Sequence, residues 1–224
     1  SERRYWNMEF EEQNDFDERY WMDLIDLKFN ETVERQLQSD VPVGLFLSSG
    51  LDSTLLLSYV CEKMESELHT YTLGFENENY NEMNNSRLVS KLFGTIHHEV
   101  LMKPDDVIDN LSSYLKSYNM PLGDFTFINF LLLSKMAAQN STVLLTGVGG
   151  DELFGGYPTL IAHKIYNRFA PLIPQNNKII NSLISLFPEG KKPLSFNFIL
   201  DSFYQAINAN PLVTYLAFKQ IFNK

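Results

Sequence analysis

Cysteine is nearly absent: Cys61 is the single one in 224 residues. That excludes an internal disulfide and a cysteine-built metal cage, and it points to a reducing, cytoplasmic setting. Basic residues are also scarce, 18 Lys and Arg against 28 Asp and Glu, for a formal charge of -10. Affinity for nucleic-acid backbones rests on clustered Lys and Arg, so no nucleic-acid partner is expected. No apolar run reaches the roughly 18 residues of a membrane span. The densest stretch, 128–138, is broken by Ser134 and Lys135, so no membrane partner is expected either. The opening residues do not read as a secretory leader. The chain starts at Ser1 rather than Met, which suggests a piece of something longer.

What is present is an alternation of strands and helices. Residues 1–22 are acidic and aromatic without a clean period and read as a linker or edge segment. A weakly amphipathic helix is expected over about 24–38, outlined by Leu27, Val33 and Leu37. Strands follow at Val43–Leu47, Thr70–Phe75, His98–Met102 and Val143–Thr146, the last a continuous apolar run of the kind buried in parallel sheets. Helices are expected over Thr54–Glu65, up to about Phe93 with Gly94 as its stop, and over Asp105–Ser117 and Phe127–Gln139. The pattern predicts an α/β fold, an open parallel sheet flanked by helices. From His163 onward, strand signals vanish and prolines punctuate helical segments, so a helical appendage is expected over 166–224.

Ligands of open parallel sheets bind beyond the carboxyl ends of the strands. Two unusual turns fall there. Ser48-Ser49-Gly50-Leu51-Asp52-Ser53-Thr54 joins a strand to a helix. Free backbone N–H groups, hydroxyls and the positive end of a helix suit an anion. Asp52 would repel phosphate on its own, but not if Mg²⁺ bridges it to phosphate oxygens. The turn has neither the Lys of the Walker pattern nor the spacing of the dinucleotide fingerprint. The second turn, Gly147–Tyr157, holds five glycines and the acidic pair Asp151-Glu152. Glycines let a ligand approach the backbone, while Asp151 alone would also serve as a helix cap. Two carboxylates at adjacent strand ends, Asp52 and Asp151, would together hold Mg²⁺ on a polyphosphate.

This pair of motifs resembles the synthetase domain of the glutamine-hydrolysing asparagine synthetases, in the N-type ATP-pyrophosphatase (PP-loop) group. Ser39–Gly44, Tyr71–Phe75, Phe93–Glu99 and Asp151–Tyr157 also look like family sequence, so the resemblance covers about 20–165. It implies a synthetase domain over 23–165 and an adenine nucleotide alpha hydrolase-like sheet. The implied chemistry is ATP-dependent and AMP-forming: aspartate is adenylated with loss of pyrophosphate, and ammonia displaces AMP. By motif position, Ser48, Ser49, Gly50, Ser53 and Thr54 would cradle pyrophosphate, and Asp52 and Asp151 would bind Mg²⁺ and serve catalysis. Leu47, Leu73, Thr146 and Gly147 would line the adenosine pocket.

The chain departs from the family in places. Ser49 replaces a usual Gly, and Val148 stands where the family's Gly-Glu-Gly pattern carries a carboxylate tied to adenylate formation. The cysteine-led glutaminase half and a late catalytic lysine are missing from these residues. Cys61 lies mid-helix and reads as a packing residue. Ammonia is therefore expected from a glutaminase domain or partner, or from solution. Two alternatives stay open: an amidotransferase acting on another carboxylate or a sugar-linked substrate, and a catalytically silent nucleotide-binding module. The oligomeric state is also open, a homodimer included. His97-His98 reads as a strand start rather than a metal site, since neighbours on a strand point to opposite faces. Asp124 is expected to cap the following helix or touch substrate, and 76–86 to be a solvated loop over the nucleotide.

Overall fold

The computed structural model describes residues 2–7, 9, 15–77, 81–117, 126–157, 160, 164 and 168. It divides into two units, Ser1–Gly147 and Val148–Lys224. Among the described residues of the first, four strands form one parallel sheet: β1 (Val43–Phe46), β2 (His69–Phe75), β3 (Ile96–Met102) and β4 (Val143–Leu145), in the order β3-β2-β1-β4. The helices are α1 (Glu18–Gln36), α2 (Leu51–Lys63), α3 (Met83–Phe93), α4 (Pro104–Ser117) and α5 (Thr126–Ala137). An open parallel sheet flanked by helices is thus what the alternation of patterns led us to expect. The appendage expected beyond His163, and Asp124, lie outside the described residues except for isolated positions.

The sheet is covered on both sides, which is why its strands read as apolar runs. Side chains alternate across it. Leu45 and Leu47 point into a core with Val33 of α1, Leu57 and Val60 of α2, and Leu68, while Val89 and Phe93 of α3 pack at its edge. On the opposite face Phe46, Tyr71 and Leu73 meet Leu133, Met136 and Ala137 of α5. Leu57 is fully buried. Truncating Leu57 to alanine should cost about 2–5 kcal/mol, read as a lowered urea midpoint. A change of a few tenths would mean the α2 packing contributes little.

Several boundaries differ from the sequence expectation. The first helix starts at Glu18, not near 24, because Asp17 caps it: its carboxylate accepts the Tyr20 N–H at 2.9 Å. No apolar period marks this start, since Phe16, Tyr20 and Trp21 pack on one another instead. The third helix begins at Met83, which shortens the expected loop of 76–86. It stops as expected at Gly94, whose φ is 69°. β4 has three residues and stands at the end of the order among the described strands, and Val143 is exposed although the run reads as one buried in the sheet.

The seam between β2 and α3 is polar. Thr70, Thr72, Ser86 and Ser90 are all buried there. The Thr70 hydroxyl lies 2.9 Å from both Thr95 Oγ1 and His97 Nδ1, and Ser90 Oγ lies 2.8 Å from Thr95 Oγ1. His97 and His98 do point to opposite faces. The rings of His69, Tyr71 and His98 lie near one another and nearly parallel, and His69 and His98 meet edge to edge, with ring nitrogens 2.8 Å apart. One of that pair donates and the other accepts, so a proton on the accepting nitrogen breaks the bond.

Burial holds both imidazoles below their ordinary value; the charge of His69 adds to this at His98, while Glu99 partly offsets it at His97. His97 Nε2 is 3.4 Å from Glu99, too far for a good hydrogen bond, because Arg87 grips that carboxylate with both its Nε and Nη2. Lowered folded values mean that the unfolded chain takes up protons first as acidity rises. The stabilisation from neutral His97 and His98 is complete above the ordinary imidazole value of about 6.5, and it is lost as pH falls below that. A urea midpoint that drops between pH 7.5 and 5, with a smaller drop in a His98→Phe variant, is the expected result. Equal drops in the two proteins would exclude the pair as the cause.

Candidate functional site

The candidate phosphate site is built on the junction between β1 and α2. Leu47 is buried just past the strand, its N–H donating to Tyr71 O at 2.9 Å and its carbonyl accepting the Thr72 hydroxyl. The chain then turns through Ser48 and Ser49, and α2 starts at Leu51 with Gly50 as its N-cap. Sequence had placed this start at Thr54. The difference matters, because it puts Asp52 and Ser53 inside the first helical turn rather than ahead of it.

The hydroxyls of the turn divide their work. Ser53 is buried, and its hydroxyl accepts the Ser48 N–H at 3.2 Å while lying 2.9 Å from Ser48 O and 2.8 Å from Ser48 Oγ. Ser48 Oγ in turn accepts the Gly50 N–H at 3.2 Å. These bonds brace the turn from within, so Ser53 shapes the cradle through its side chain and offers a ligand only its backbone. Thr54 Oγ1 is buried without a hydrogen-bond partner among the described residues. The sequence signal did not separate bracing hydroxyls from contacting ones.

No hydrogen bond among the described residues takes the N–H of Leu51, Asp52 or Ser53. Three unpaired donors at the positive end of a helix form an anion cradle. Asp52 is exposed beside them. Gly147, just past the end of β4, lies against this turn. A Cβ at Gly147 would sit 2.9 Å from Ser53 N and 3.1 Å from the Asp52 carbonyl carbon. The pairing of β4 with β1 brings it there. Thr146 is exposed next to it, and Leu73 is half-buried on β2, one strand away.

The cradle fits a polyphosphate, and a single exposed carboxylate beside it fits Mg²⁺. That ion keeps several waters and takes one or two carboxylates plus phosphate oxygens rather than a full protein cage. Among the described residues, no group of three or more His, Cys, Asp or Glu is arranged to hold an ion.

Asp151 belongs to the second unit. There a short helix, α6 (Gly150–Phe154), is capped by Gly149 at φ 111° without a side-chain bond. The capping role open to Asp151 is therefore not the one it takes; it stands within the first turn. Its Oδ1 lies 2.0 Å from where a Cβ on Gly156 would be, so only glycine allows that carboxylate its place. Tyr157 OH donates to Glu152. Val148 is 70% exposed.

Cys61 is half-buried mid-helix at the edge of the α2 core, and burial pushes its thiol up from the ordinary value. It is a packing residue, as expected. One contact at the turn had no counterpart in the sequence reading: the Ser49 N–H donates to Glu82 Oε2 at 3.2 Å. The two residues are 33 positions apart, and no local pattern links them.

Comparison with known proteins adds a family. The family described as asparagine synthase matches residues 24–210. A protein of Methanocaldococcus jannaschii assigned as a glutamine-hydrolysing asparagine synthetase is 40% identical over 130 residues, 58% of this chain and 25% of its own. Asparagine synthetase 3 (glutamine-hydrolysing) of Bacillus subtilis is 32% identical over 170 residues, 69% of this chain and 27% of its own. The chain thus spans about a quarter of the length of these curated relatives. Among solved structures, an ammonia-dependent NAD synthetase from Campylobacter jejuni aligns at 18% identity and a TM-score of 0.43, over 60% of each chain. No helix among the described residues is long and apolar enough to cross a membrane.

Proposed function

Because the chain belongs to the asparagine synthase family, we propose that it is the ATP-using part of an AMP-forming, glutamine-dependent amide ligase, with aspartate as the default acceptor. The observation that carries this reading is the first turn of α2: unpaired N–H groups of Leu51, Asp52 and Ser53, an exposed Asp52, and a Gly147 backbone that leaves them uncovered. In this reading those donors, with Ser48, Ser49, Gly50 and Thr54, hold the pyrophosphate portion of ATP. Leu47, Leu73, Thr146 and Gly147 border the adenosine. Asp52 takes a Mg²⁺, and Asp151 is proposed as a second carboxylate for it from its place in the Asp-Glu-Leu-Phe-Gly-Gly-Tyr run. The metal would neutralise charge on the phosphates as pyrophosphate leaves.

Donors fixed before reaction are the favourable arrangement here, since they need not reorganise as charge moves to the leaving pyrophosphate. Ser53 and Ser48 supply that fixity by bracing the turn from within. Ammonia comes, in this proposal, from a glutaminase domain or partner. The test is isotope exchange between ATP and pyrophosphate with a panel of carboxylates. Exchange dependent on aspartate supports the proposal; exchange only with another acid would replace aspartate and favour the amidotransferase reading.

A second reading rests on Val148. Its aliphatic, exposed side chain stands where the family motif carries a carboxylate, and it can neither move a proton nor bind a metal. Such a chain would bind ATP and Mg²⁺ without turning them over. Calorimetric binding with no AMP release would favour it, and steady AMP formation would exclude it.

A further inference from the structure

The phosphate turn already has an anion on it. Glu82 Oε2 accepts the Ser49 N–H at 3.2 Å. This contact is produced by the way α3 is seated, not by a free side chain. Met83 packs onto β2 at Gly74, where a Cβ would come within 1.9 Å of the Met83 sulfur. The Asn81 carboxamide lies against the same glycine and accepts the Met83 N–H at 3.1 Å. One turn further on, the Ser86 N–H donates to Glu82 O at 3.0 Å. The Glu82 backbone is therefore held on both sides, at the carboxyl end of β2. β2 neighbours β1, whose end carries the turn. A carboxylate fixed there reaches a backbone donor beside the positive end of α2, the place that favours negative charge.

We propose that Glu82 is a built-in competitor of the phosphate ligand: its carboxylate occupies the Ser49 donor in the free protein and must leave when a polyphosphate enters. The inference rests on the functional reading above and deepens it. Glutamate and phosphate cannot both accept from the same N–H without two anions meeting at close range, where their repulsion is several-fold stronger than in bulk water. Ligand binding is thus an exchange of one anion for another, and part of the ligand's binding energy goes into displacing Glu82.

The test uses the full chain and two probes, Mg²⁺-free pyrophosphate and ATP with Mg²⁺, titrated calorimetrically into wild type, Glu82→Gln and Glu82→Ala. Pyrophosphate is expected to bind roughly 2- to 5-fold more tightly to both variants, the scale of a solvent-exposed charged contact. The Ser49 amide resonance of the free protein is expected to move in both variants and to remain where it is in wild type until pyrophosphate is added. Unchanged pyrophosphate affinity, or an unmoved Ser49 amide, overturns the proposal while leaving the functional reading standing. Weaker ATP binding only in the presence of Mg²⁺ also overturns it, since Glu82 would then be a ligand of the metal. If wild type binds neither probe, the functional reading falls and the competitor with it.

Discussion

An Asp52→Ala variant is expected to lose Mg²⁺-dependent ATP binding while keeping its fold and its affinity for Mg²⁺-free pyrophosphate. Asp52 is exposed in the first turn of α2, beside donors that already suit phosphate. Those donors need no carboxylate, and a negative charge among them opposes a bare anion. Its removal should therefore leave pyrophosphate binding equal or slightly tighter. With Mg²⁺ the sign reverses, because the ion loses a protein ligand and bridges nothing. Loss of one preorganised group at such a centre costs about 100- to 1000-fold in turnover, against only about 0.3–1 kcal/mol for an acid removed from a helix N-terminus. Calorimetry with and without Mg²⁺ separates the two effects. Equal affinity of wild type and variant for ATP with Mg²⁺ would end the metal-bridge argument.

Gly147→Ala is expected to cost about 100-fold in kcat/KM, the penalty typical of roughly 1 Å misplacement in a site that works by positioning. The added methyl group would stand 2.9 Å from Ser53 N and 3.1 Å from the carbonyl carbon of Asp52. Both neighbours are main-chain atoms and cannot rotate away as a side chain would. Either the end of β4 retreats or the first turn of α2 shifts, and in each case the methyl covers donors the ligand needs. The β1 and β2 pairing is remote from the change, so far-UV circular dichroism should match wild type. Full activity in this variant would show that the close approach of Gly147 is incidental.

The architecture was largely readable in the residues. Val43–Phe46 and His69–Phe75 are apolar or β-branched runs bounded by turn signals, and Gly94 marks the end of α3 in the left-handed conformation where glycine is favoured. The start of α1 was not readable, because Phe16, Tyr20 and Trp21 pack among themselves and leave no periodic stripe. Nor was the exposure of Val143 on β4: an apolar triplet reads the same whether or not each of its residues is covered. At the site, residue types suggest a chemistry, and the geometry was not legible in them. Residue types in 48–54 announce an anion turn, but whether Ser53 faces a ligand or braces the loop depends on where the helix begins. Glu82 meets Ser49 only because α3 is seated on Gly74, a fact of tertiary packing with no trace in local spacing.

The hydroxyl seam under α3 bears on how this sequence can drift. In the apolar core around Leu45, Leu57 and Val60, one aliphatic residue replaces another at modest cost if volume is kept. Thr70, Ser90, Thr95 and His97 form a chain in which each member completes another's bonding. A lone substitution there strands a buried neighbour, whereas paired replacement of donor and acceptor is far better tolerated. Divergence along the seam must therefore proceed by coordinated exchanges. The helix that Glu82 caps is thus tied to its sheet by residues whose single replacement costs more than their paired replacement.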